Sequence, residues 1–139
     1  MPFRTPFVLI ICLALVGCGS SVKTRYYTLQ APPAAGVASA IADALPDIVI
    51  GPVTLPEAVE RTQFVVRTGE NTLDIHDSQR WAEPLKSGVT RVLVANLAQL
   101  YGTRRVTASG MGGANDVRVA VDILSFESTL GKTATIEAQ

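Results

Sequence analysis

Histidine and tryptophan each occur once in this chain of 139 residues, cysteine occurs twice, and basic and acidic side chains balance at twelve each. Each scarcity removes a class of function. Any Ser-His-Asp arrangement would have to be built on His76 alone, and no G-x-S-x-G elbow accompanies it. The charge balance argues against electrostatic capture of nucleic acid, which draws on a basic excess over one face. A phosphate-binding loop is also missing: the glycines at 110, 112 and 113 carry no P-loop lysine and lead into a strand-like segment, which reads as a hairpin turn. The longest apolar run, Phe7 to Val16, falls well short of the roughly 20 residues that span a bilayer as a helix. No internal repeat is present, and the length suits one domain.

What the N-terminus does contain is a secretory signal pattern. Arg4 is the one charge before "FVLIICLALV", an apolar stretch of the length of a signal h-region. Leu15, Val16, Gly17 and Cys18 then resemble the lipobox of bacterial lipoproteins. That resemblance implies that the Cys18 thiol receives a diacylglycerol, that the chain is cut before it, and that the new amino group is acylated. The alternative is a conventional signal peptide cut near Gly17 with a chance cysteine after it. In the lipoprotein reading, residues 1–17 are the signal peptide, 18–24 a polar tether and 25–139 a single periplasmic domain. Cys12 is discarded and Cys18 blocked, so the mature chain carries no free thiol and no disulfide and relies on packing. Acyl chains of this number hold a protein stably to a membrane without a spanning helix. Gly19, in place of an aspartate, implies the outer membrane by the sorting pattern of such lipoproteins. Ser20 and Lys23 match Ser-x-x-Lys, but no folded pocket can surround a serine two residues from a lipid anchor.

The body alternates short β-type segments with one strong helix. "RYYTL" (25–29) reads as a first strand. The alanine-rich stretch 31–46 is a linker or a loose helix over about 37–45. Ile48 onward begins a strand that Gly51-Pro52 breaks or bulges. Residues 62–68 and 72–77 read as a hairpin around Gly69-Glu70-Asn71. A helix is expected from about Ala82 to Tyr101, with Pro84 in its first turn and Leu85, Val89, Val92, Leu93, Leu97 and Leu100 along one apolar face. Residues 104–109, 117–126 and 132–138 are further strands. Val117, Val119, Val121 and Ile123 should share a buried face, with a bulge or second buried face from Leu124. The expected class is α/β (α+β): a mixed, largely antiparallel sheet with one or two covering helices.

Site signals in this body are poor. His76 has Asp74 on the same strand face and Asp77 beside it, but no third ligand in register, so a solvated strand end is the plainer reading. Trp81, Tyr26 and Tyr27 could line a lipid groove or cap the core beside the helix. No catalytic, metal or cofactor residue is proposed, and no enzymatic activity is expected.

Taken in order, the lipobox at Cys18, "YYTL", "IVIGPVTLPEAVERTQFVVR", "RWAEPL" opening the helix, "VLVANLAQL" and "VRVAVDILSFE" resemble the ABC-type transport auxiliary lipoproteins (PqiC/YmbA-like) over about residues 26–136. The resemblance implies an outer-membrane lipoprotein on the periplasmic face. It further implies work with an MCE-domain protein and ABC or PqiA-like permease components in moving lipids between membranes. MCE proteins form rings, so the resemblance leaves a homo-oligomer open. It also implies a further strand and a C-terminal helix after "TATIEAQ"; against that pattern the chain reads as C-terminally truncated, with an exposed apolar face and an unprotected edge. The competing function is a free-standing periplasmic lipoprotein that binds lipid or another hydrophobic ligand beside Trp81.

Overall fold

The computed structural model describes residues 22–33, 46–101, 105–108 and 116–139. Cys18, the signal segment, the possible helix over 37–45 and most of the glycine-rich turn lie outside them. Two mixed sheets and one long helix make up the described body. Sheet A has the order β1-β4-β3, from β1 (Arg25–Tyr27), β3 (Gln63–Gly69) and β4 (Thr72–Trp81). Sheet B has the order β5-β2-β6-β7, from β2 (Ile48–Thr54), β5 (Val106–Ala108), β6 (Val117–Thr129) and β7 (Thr133–Ala138). The helix α1 covers Leu85–Tyr101. The α+β class and the mixed pairing are as expected. The strands divide between two sheets, with β1/β4, β2/β5 and β2/β6 parallel and only the two hairpins antiparallel.

Strand β2 is the centre of the fold. Flanked on both sides by parallel neighbours, it reads as a nearly continuous apolar run, as a strand buried on both faces must. Val49, Ile50 and Val53 are fully or almost fully buried. Its register against β6 shifts between Ile50 and Val53, where Pro52 supplies no N–H to the ladder. Gly51 takes φ of 120°, a backbone state that suits glycine.

Helix α1 lies over β2 and β5. Val89, Leu93, Val94, Leu97 and Ala98 pack onto Ile50, Val53 and Val106, and each well-buried aliphatic side chain contributes about 1.5–3 kcal/mol. Three expectations are corrected here. The helix begins at Leu85 and not Ala82, because Arg80 and Trp81 finish β4, held in register by Tyr26 and Tyr27 of β1. Leu100 is exposed, since the last turn runs past the core that ends at Leu97 and Ala98. Val117 and Val119 are exposed as well: of this row only Val121 packs against the core under the helix, which sits on the β5 side of β2, and Ile123 is buried apart from that cluster. The irregularity expected near Leu124 is present as a shift in the β6/β7 register between Ile123 and Ser125. All six residues of β7 are exposed at the edge of sheet B.

Candidate functional site

The residues that sequence reasoning singled out separate in the structure. Asp74 and Asp77 are exposed and His76 is half-buried on β4, opposite Phe64. The His76 side chain has no ion-pair or hydrogen-bond partner among the described residues, and no group of three or more His, Cys, Asp or Glu side chains forms among them. Tyr26 stands 67% exposed, so it caps no core. Ser20 lies outside the described residues, and Lys23 is exposed. No helix among the described residues is long and apolar enough to cross a membrane.

Trp81 does join something. Its ring lies 4.3 Å from that of Phe64, which in turn lies 4.8 Å from Tyr27, and it meets Phe126 edge-on at 6.5 Å. The four aromatics come from β1, β3, β4 and β6, so they close a seam between sheet A and sheet B. Such ring pairs each add about 0.5–1.5 kcal/mol beyond their buried area. A polar closure runs beside them. Arg67 on β3 donates from Nε and Nη2 to the two carboxylate oxygens of Glu127 on β6, at 2.8 and 2.5 Å, and from Nη1 to the Glu70 carbonyl at 2.8 Å. Ser128 Oγ donates to the Val65 carbonyl at 3.4 Å. The hydrogen bond from Arg67, with its charge, holds the Glu127 carboxyl below its ordinary value against partial desolvation, and the same pairing raises the guanidinium. The two partners lie sixty residues apart, and nothing local in the sequence links them.

Two cavities flank the seam. One of about 170 Å³ is lined by Phe64, Trp81, Leu85, Phe126 and Ala134. The other, also about 170 Å³, lies between Pro56, Ala58, Leu73, Leu124 and the Arg67–Glu127 pair. Both are smaller than the roughly 300–1,000 Å³ typical of small-molecule sites, whereas an open groove of about 450 Å³ along Tyr27, Phe64, Gln79 and Leu130 falls within that range. An engineered cavity of about 150 Å³ holds benzene, so a molecule of that size is the natural limit for either space.

The N-terminal strap is tied down separately. The Ala82 N–H donates to the Tyr27 carbonyl at 2.9 Å, and Arg91 Nη2 donates to the Leu29 carbonyl at 2.9 Å and to Glu83 Oε1 at 2.5 Å. Gly88 is buried in the helix face directly under Leu29. The segment entering the fold is thereby fixed to β4 and to the first turns of α1.

The described residues form a two-sheet α+β body, closed by an aromatic seam and entered through a clasped strap. The chain belongs to the ABC-type transport auxiliary lipoprotein component family, whose model matches residues 27–139. No curated protein matches the sequence. Among solved structures, a crystal structure of an uncharacterised protein aligns over 84% of this chain and 77% of its own, at 20% identity and a TM-score of 0.60. A Xanthomonas campestris protein of the DUF330 family aligns over 84% of this chain and 63% of its own, at 16% identity and a TM-score of 0.51. These likenesses are of fold. The family is that of a transport auxiliary component and is not a known enzyme family.

Proposed function

We propose that this protein is an outer-membrane lipoprotein, anchored through Cys18 with its body in the periplasm, that docks an MCE-linked intermembrane lipid transport system to that membrane. The observation that carries the reading is the family match over nearly the whole body, joined to a cysteine at the end of an apolar leader. Its partners are a ring-forming MCE-domain protein and the associated ABC or PqiA-like permease components, and the protein itself is open to forming a homo-oligomer. The free-standing lipid carrier is the second reading: the two enclosed seam cavities of about 170 Å³ are too small for an acyl chain with its headgroup, and the space it would use is the groove of about 450 Å³ beside Tyr27 and Phe64. Cys18→Ser should release the protein from washed membranes, and the wild type should co-purify with a ring-forming MCE protein and carry no stoichiometric lipid in native mass spectrometry. A Cys18→Ser protein that stays membrane-bound through the same wash removes the lipid anchor. Bound lipid on a partnerless monomer turns the reading to the carrier.

A further inference from the structure

We infer that β1 is a second point of contact with the bilayer, its edge cations and Tyr26 resting on an anionic phospholipid surface. The inference rests on the Cys18 anchor. Only six residues separate Cys18 from Arg25, so over seven Cα steps the start of β1 lies within about 25 Å of the anchor even at full extension. The strand reached is the outer strand of sheet A, paired on one side only. Lys23 and Arg25 are exposed, and neither has an ion-pair partner among the described residues. Tyr26 is 67% and Val22 75% exposed. Arg80, opposite Tyr26 in the β1/β4 register, lies one strand in from the edge and is half-buried, its Nε donating to the Asp77 carbonyl at 2.9 Å.

The geometry suits a plane meeting an edge. Successive side chains of a strand point to opposite faces, so a surface approaching the edge reaches both Arg25 and Tyr26 where one approaching a face would reach only one. Tyrosine favours the membrane–water interface, where its ring is half in hydrocarbon and its hydroxyl is wet. Each cation near an anionic bilayer shifts the docking equilibrium about fivefold. Because Arg91, Ala82 and the Leu29–Gly88 contact fix this segment to the body, docking β1 orients the whole domain.

The test uses the lipidated full chain in vesicles whose acyl chains are brominated, made of phosphatidylcholine alone or with a third phosphatidylglycerol. Tyr26→Trp places a second indole at the edge, and the wild type, with Trp81 only, gives the background. The expected result is extra quenching in the anionic vesicles. It should weaken about thirtyfold in docking constant when Lys23→Gln and Arg25→Gln are added, and fade at about 1 M salt, where screening acts within about 3 Å. Protein that floats with the vesicles but shows no extra quenching, or quenching indifferent to lipid charge, overturns the β1 contact and leaves the anchor standing. Protein that fails to float overturns the anchor and this inference together.

Discussion

Removing the Phe126 ring should loosen the joint between the two sheets, and Trp81 should report it. Phe126 is half-buried, meets Trp81 edge-on, and lines both seam cavities, so its loss joins two spaces of about 170 Å³ into one. A fully buried Phe→Ala change costs about 3–5 kcal/mol. Half burial halves the transfer part, and the lost ring pair adds up to about 1 kcal/mol, so Phe126→Ala should cost about 2 kcal/mol. Against the roughly 5–15 kcal/mol that holds a domain together, this lowers the folded-to-unfolded ratio about thirtyfold. For a domain of this length the midpoint of thermal unfolding should fall by about 8 °C. The chain has one tryptophan, so intrinsic fluorescence reads the seam directly, while far-ultraviolet circular dichroism reads both sheets. The emission of Phe126→Ala should shift to the red before unfolding, and Phe126→Leu, which keeps apolar volume, should lose less than about 1.5 kcal/mol. Unchanged emission and an unchanged midpoint in Phe126→Ala would show that the sheets are joined elsewhere and refute the seam.

Two further changes probe the strap and the polar closure. A Cβ at Gly88 would sit 3.6 Å from Leu29 Cδ1 and 3.3 Å from Glu83 Oε1, the atom that Arg91 holds, so the helix-propensity gain of up to about 1 kcal/mol in Gly88→Ala is offset by displacing that carboxylate and stability should change little. Gly88→Leu should instead displace Leu29 and expose residues 22–29 to limited proteolysis, and equal cleavage in both variants would remove the clasp. Glu127 has its folded pKa lowered by Arg67, so its contribution is complete above the unfolded value of about 4.3 and is lost as pH falls below that toward the folded value. The urea midpoint of the wild type should therefore drop more between pH 5 and 3, on the order of the carboxylate range, than that of Glu127→Gln; parallel declines would show the pair to be idle.

Elements whose partners are near in sequence were legible, and those set by distant partners were not. The β3–β4 hairpin follows from two alternating runs around a polar turn, and the helix from leucines and valines every fourth residue. The end of β4 is different. Residues 78–81 are strand because β1, some fifty positions earlier, pairs with Gln79, Arg80 and Trp81 while Thr62 and Gln63 bond the other side across a bulge, and no local pattern announces the parallel neighbour. The same holds for β6. Its alternation is plain, but whether Val119 or Val121 is covered depends on which side of β2 the helix lies. Trp81 stood out as the single tryptophan, and it lies in the ring seam, lining a cavity with Leu85 of the first helical turn. Arg67 and Glu127 gave no signal, because an ion pair between strands of different sheets leaves no spacing to read.

The strap gives the fold a mechanical sense. A force applied at the N-terminal side enters at Arg25 and is met at once by the β1/β4 ladder, by the Arg91–Leu29 bond and by the Leu29–Gly88 contact. From β4 it reaches β3 along a six-pair antiparallel register, and from β3 it crosses to β6 through Arg67–Glu127 and the aromatic seam. Exposed ion pairs alone hold little, typically less than about 1 kcal/mol each. The ladder and the rings must therefore carry the connection, with Arg67 fixing its register. The proposed function requires the point of attachment to be coupled to the outward faces, and between β1 and β6 that coupling runs through both sheets by way of side chains that meet only when the chain is folded.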